Sequence, residues 1–149
     1  MPVKIRPATP NDFPALLQLI HEFALFQQTP EKVTISVEQM KADAALFSCL
    51  LAETEQQEIV GFASFFFAYY SWSGKAIYLD DLYVIPSYRK QAIGKQLLDT
   101  VILFAKQNNC IKLRWQVSNW NKNAIGFYQS IGAVTDDVEI NCDLLLQGK

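Results

Sequence analysis

Hydrophobic and polar positions along the chain alternate between two periods. Residues 3–6 alternate apolar and polar and predict a first strand. Thr9, Pro10, Asn11 and Asp12 offer helix-capping chemistry, and Leu16, Leu17, Leu19, Ile20 and Phe23 follow at helical spacing until Thr29 and Pro30 break the helix. Ser36 with Gln39 resembles a capping box for a second helix reaching about Phe47. Residues 49–53 and 58–70 predict two strands joined by a tight polar turn, and Gly74 marks the next turn. Residues 76–85 predict another strand, ended by Pro86. From 93 to 107 the period is helical: Ile93, Leu97, Val101 and Phe104 form one face, with Leu98, Ile102 and Ala105 beside it. Residues 111–117 predict a strand. Residues 121–131 predict a short helix ended by Gly132, a residue suited to the left-handed position after a helix. Residues 138–146 predict a final strand.

The predicted order is therefore β-α-α-β-β-β-α-β-α-β. Three consecutive strands ahead of a strand–helix–strand unit imply a mixed sheet in an α/β or α+β domain. The 149 residues read as one domain, 1–149, with no repeat or linker. Half of the residues are hydrophobic and 19% are charged, a globular composition. A net charge of -2 gives no general reason to bind nucleic acid or an anionic membrane. Cys49, Cys110 and Cys142 are scattered, with no CxxC and no Cys/His cluster, so no metal site is expected and a reducing cytoplasm suits them. Residues 1–6 are too polar and short for a signal peptide, and no apolar run approaches the roughly 20 residues of a membrane span. His21 is the only histidine and sits on the first helix without a visible partner.

The stretch from Tyr78 to Leu98 carries the chemistry. A strand runs into a loop, and the loop opens a long helix. Backbone N–H groups at a helix start favour an anion, small residues at Ala92 and Gly94 permit close approach, and Arg89, Lys90 and Lys95 add positive charge. The spacing is neither GxGxxG nor GxxxxGK[ST], so dinucleotide-fold and P-loop readings fail. An ordinary solvated turn is the alternative.

Arg89-Lys90-Gln91-Ala92-Ile93-Gly94 resembles the acetyl-CoA pyrophosphate loop of the GNAT acetyltransferases, Gln/Arg-x-x-Gly-x-Gly/Ala. The preceding Val84-Ile85-Pro86-Ser87-Tyr88 resembles the end of that family's splayed strand. Asn121, Ala124, Phe127, Tyr128, Gly132 and Ala133 follow the spacing of its Asn-x-x-Ala-x-x-Phe-Tyr-x-x-x-Gly-Ala motif, and Ile5-Arg6-Pro7-Ala8-Thr9 resembles its first strand. The resemblance implies a mixed sheet of about six to seven strands flanked by about four helices. Ala92 stands where the family usually has Gly; its methyl is expected to be tolerated because Gly94 keeps the second small position. The likeness is greatest to the spermidine/spermine and thialysine acetyltransferases, through Glu22-Phe23-Ala24-Leu25-Phe26, the Trp72-Ser73-Gly74-Lys75 turn, and Asp80-Asp81 where that subfamily has Glu-Asp.

The resemblance implies transfer of an acetyl group from acetyl-CoA to a primary amine of a small cationic acceptor (a polyamine, diamine or lysine analogue) by direct attack. Leu82, Tyr83 and Val84 would face the pantetheine arm. Arg89, Lys90, Gln91, Ala92, Ile93, Gly94 and Lys95 would hold the pyrophosphate, and Asn121, Ala124 and Tyr128 would complete the cofactor contacts. Tyr128 would protonate the leaving thiolate, since a phenol is neutral at rest. Asp80 would be the base or hold the water that relays the proton, and Asp81 would hold substrate or a neighbouring backbone. Adjacent strand residues point to opposite faces, so only one acid is expected on a given face. Tyr70 and Trp72 would line the acceptor pocket, where cation–π attraction suits an ammonium. The resemblance also implies a homodimer. Acetylation of a protein lysine or N-terminus, and a non-catalytic acyl-CoA-binding module, remain open at this level.

Overall fold

A computed structural model describes residues 2–147. The chain falls into two compact units, one running through Trp115 and one beginning at Gln116.

The first unit holds strand β1 (Val3–Pro7), helices α1 (Phe13–Phe26) and α2 (Val37–Ala42), strands β2 (Ser48–Thr54), β3 (Ile59–Tyr70) and β4 (Gly74–Val84), helix α3 (Ile93–Gln107) and strand β5 (Lys112–Trp115). The strands form one sheet in sequence order, antiparallel except for the parallel β4–β5 pair. Short polar turns join β2, β3 and β4, whereas the β4–β5 crossover is α3, as a parallel connection requires. Ser36 caps α2 by accepting from the Gln39 N–H. That helix is shorter than the sequence suggests, because a 3-10 turn replaces its last part at Ala44–Leu46.

Residues opposite each other on neighbouring strands share a sheet face. One face carries Cys49, Leu51, Phe62 and Tyr83 against Phe13, Leu16 and Leu19 of α1 and Met40 of α2. The other carries Phe65, whose ring sits 5.6 Å from Phe104 of α3. Burial of Leu97, Leu98 and Val101 fixes α3 to that face. At the β1 end, Arg6 donates two hydrogen bonds to Asp12 and two to Glu53, tying the first strand to the turn before α1. No helix of the described residues is long and apolar enough to cross a membrane.

The second unit contains helix α4 (Lys122–Ser130). Gly132 takes φ +100 after it; its N–H donates to the Gln129 carbonyl, and that of Ala133 to the Tyr128 carbonyl. This pair of bonds is the Schellman arrangement, and the left-handed position explains the glycine.

The expected final strand is absent: residues 138–146 form neither strand nor helix. The sheet therefore has five strands among the described residues rather than six to seven, while the four α-helices match. An alternating apolar pattern makes a strand only where a neighbouring strand pairs with it. Here Val138, Ile140, Leu144, Leu145 and Leu146 are all exposed.

Candidate active site

Asp80 and Asp81 lie on β4, where the sheet is irregular. Ser64 pairs with Asp81 and Phe65 with Leu79, so Asp80 is the extra residue of a β-bulge. Leu79 shares the α3 face with Phe65. Asp81 shares the α1 face with Ser64, and with Cys49 beyond it. Alternation after Leu79 turns Asp80 to the α1 face, and the bulge keeps Asp81 there too. The expectation that the two acids point to opposite faces is corrected by this one inserted residue.

The shared face has an electrostatic consequence. Burial, and then the neighbouring Asp80 charge, push the Asp81 carboxyl up from its ordinary value to about 7. Asp80 is the more open of the two, yet partial desolvation raises its carboxyl as well. Tyr78, two residues before Asp80 on the same face, stacks on Phe66 with centroids 5.4 Å apart. Its phenol is raised by burial and by the Asp80 charge.

Beyond Leu79, β4 leaves β5. Their pairing ends at Leu79 with Trp115, while β4 continues to Val84. The stretch Asp80–Val84 thus has no strand partner on its β5 side among the described residues. Leu82, Tyr83 and Val84 belong to this free edge, which is suited to an extended polar chain laid beside it. Gly61, across from Val84, is kept small by the strand itself: a Cβ there would stand 2.9 Å from the Tyr83 carbonyl.

The edge leads into the predicted anion loop. Lys90 and Ala92 both take left-handed backbone, with φ of +66 and +61, on either side of Gln91. Such alternation turns successive N–H groups to one side as an anion-binding nest. Ile93 then opens α3 with no side-chain cap and no acid in the first turn, so the free N–H groups of that turn remain for a ligand. A Cβ on Gly94 would meet only Val84, at 3.8 Å, which leaves room against the backbone. These features fit the diphosphate of a nucleotide cofactor.

Two of the three basic residues there are committed elsewhere. Arg89 donates to the Val84 carbonyl at 2.9 Å and lies over the rings of Phe26 and Tyr83. Lys95 pairs with Asp99 at 2.7 Å. Lys90 has no ion pair or aromatic partner among the described residues. Arg89 is therefore an anchor for the loop. Its platform, Tyr83, donates its hydroxyl to Glu22 of α1 at 2.7 Å, and burial followed by that bond pushes the phenol up to about 12.

In the second unit, Asn121 accepts from the Ala124 N–H and caps α4. Tyr128 sits half-buried on that helix beside Phe127, and burial raises its phenol. Its proton stays in place at neutral pH.

Tyr70 and Trp72 are placed differently. Tyr70, near the end of β3, lies under Arg114 and Lys112, which approach its ring to 4.4 and 4.6 Å. Trp72 is fully exposed in the β3–β4 turn. Asp80 lies six residue steps along β4 from Gly74, about 20 Å of strand. Sequence reasoning did not bring Lys112 and Arg114 to the Tyr70 ring. Their common signal is alternation: Lys112 and Arg114 are every second residue of a short strand, and a charge there reads as a solvated face.

The Acetyltransferase (GNAT) family model matches residues 13–133, a span that runs through both units. The chain is 37% identical over 142 residues to thialysine N-epsilon-acetyltransferase of Bos taurus, covering 88% of this chain and 84% of that protein. It is 33% identical over 141 residues to spermidine/spermine N(1)-acetyltransferase-like protein 1 of Homo sapiens, covering 88% of this chain and 20% of that longer protein. In fold it is similar to an aminoglycoside acetyltransferase from an uncultured soil metagenomic sample, solved with sisomicin, with a TM-score of 0.79 at 22% identity and 97% of each chain covered. A bulged strand, a free strand edge and a left-handed loop before a long helix thus occur in a sequence that the family's own pattern matches along most of its length: the chain belongs to the GNAT acetyltransferase family and is an acyltransferase.

Proposed function

We propose that the chain transfers the acetyl group of acetyl-CoA to the primary amine of a small cationic acceptor, a polyamine, diamine or lysine analogue, by direct attack of the amine. The observation that carries this reading is the acid pair on the bulge, with Asp81 poised near 7 beside a free strand edge. Thialysine and spermidine/spermine acetyltransferases among the relatives support a small amine.

Acetyl-CoA supplies the acyl group as an activated thioester. The remaining work is positioning and proton transfer. The backbone from Lys90 to Lys95 holds the diphosphate, and the free edge at Leu82, Tyr83 and Val84 accepts the extended arm. Asn121 and Ala124 at the start of α4 complete the cofactor contacts, an assignment that rests on their motif. Asp80, the open member of the pair, meets the ammonium and the water around it. Asp81 draws the proton from that network, because a base near 7 matches the task at neutral pH. Tyr128 protonates the leaving thiolate, which its neutral phenol suits. The reading extends to a homodimer. Trp72 and the apolar residues of 138–146 are its support, exposed as they are in one copy. Light scattering on the purified chain reads that mass, and amine-dependent release of free CoA tests the activity.

A further inference from the structure

Three residues near the end of α1, Glu22, Phe23 and Phe26, converge on the strand end that enters the anion loop. Glu22 accepts the Tyr83 hydroxyl at 2.7 Å, and the Phe23 ring stacks on the Tyr83 ring with centroids 5.0 Å apart. The Arg89 guanidinium lies 5.5 Å from the centre of that same ring and 4.9 Å from that of Phe26. Its Nε donates to the Val84 carbonyl at 2.9 Å. A continuous run of contacts therefore leads from α1 through Tyr83 to Arg89. The residue after Arg89 is Lys90, the first of the two left-handed positions in the loop, and Ala92 is the second. Left-handed backbone is unfavourable for any residue with a Cβ. It persists only where the surroundings over-determine it. Arg89 is the residue that ties this loop to the buried Tyr83 and to α1.

Resting on the reading that this loop holds the cofactor's diphosphate, we propose that Glu22 and Tyr83 are positioning residues for acetyl-CoA, which act through Arg89 to hold the loop in its strained anion-binding form. The hydroxyl fixes the Tyr83 ring between Phe23 and Arg89. The ring and Phe26 then fix the guanidinium, whose charge is attracted to both aromatic faces. With the guanidinium placed, the loop enters Lys90 from a defined direction. Without the hydroxyl bond, the loop relaxes toward ordinary backbone and only part of the population presents the nest. Apparent affinity falls by that fraction. The acyl transfer itself is untouched once acetyl-CoA is bound.

The test uses the full chain with Tyr83→Phe, which removes one oxygen and keeps the ring, and with Glu22→Met and Glu22→Gln at an exposed helix position. Calorimetry reads the Kd for acetyl-CoA, and amine-dependent thiol release reads KM and kcat. Tyr83→Phe and Glu22→Met are expected to raise Kd and the KM for acetyl-CoA about tenfold, with kcat held at saturating acetyl-CoA. Glu22→Gln, whose amide carbonyl still accepts the hydroxyl, keeps most of the affinity. Adding Ala92→Gly to Tyr83→Phe eases the strain and recovers about twofold. Unchanged Kd in both Tyr83→Phe and Glu22→Met overturns the proposal. So does a loss that falls on kcat alone, as a merely structural role would give, or one that Ala92→Gly leaves as it was. No acetyl-CoA binding by the unsubstituted chain overturns instead the cofactor reading on which the proposal rests.

Discussion

Asp80 and Asp81 show how one residue changes the chemistry available to a strand. In a regular strand the two carboxylates would face apart and titrate independently. The bulge at Asp80 sets them on one face, and burial with mutual repulsion holds Asp81 near 7. The ionisation belongs to the pair. On this account kcat/KM rises with pH and levels off above about 7; Asp81→Asn removes that inflection, which a pH–rate profile reads directly. Tyr128 makes a separate prediction. Removing one phenolic oxygen takes away the proposed acid but leaves the ring, so Tyr128→Phe is expected to lower kcat about 100-fold. Acetyl-CoA binding by calorimetry stays near its original value.

At the scale of elements, the loop before α3 shows which features a sequence displays and which it hides. The helix from 93 to 107 is legible residue by residue, because a 15-residue amphipathic period leaves one solution. The loop's small residues and basic charges are legible too. The left-handed backbone at Lys90 and Ala92 is not, because neither residue type favours it. Nor is the commitment of Arg89 to Val84 and two aromatic rings, which needs α1, β4 and the loop in place together. The bulge at Asp80 is hidden for the same reason: alternation along one strand does not report a skipped partner on the next. The expected final strand fails in the opposite way, since its pattern is present and its pairing partner is not. Ala92 gives the element's prediction. A methyl at φ +61 carries left-handed strain of about 1 kcal/mol or more, and glycine's greater freedom in the unfolded chain offsets about half of its relief. Ala92→Gly therefore raises stability by roughly 0.5 kcal/mol in urea unfolding, with acetyl-CoA affinity equal or tighter.

For the molecule as a whole, two buried or paired acids work in opposite directions with pH. The Arg6 guanidinium beside Asp12 holds its carboxyl well below the usual range, so its stabilisation is present above about 4 and is lost as pH falls. Asp81 is raised, so the native state keeps a proton that the unfolded chain has released. That stabilisation is full below about 4 and is lost as pH rises to about 7. Melting temperature should climb out of acid, peak near pH 4 to 5, and decline toward 7. Asp81→Asn flattens the decline, a change of about 1–2 kcal/mol once solvent screening is allowed for.

Acetyl transfer to a small amine is read most directly by thiol release. Purified protein is incubated with acetyl-CoA, and free thiol is followed with and without a panel of polyamines, diamines and lysine analogues. Thiol release that depends on an amine and saturates with it is the expected result. Tight acetyl-CoA binding with no amine-dependent release across the panel would contradict it, and would leave a module that holds acyl-CoA without turning it over.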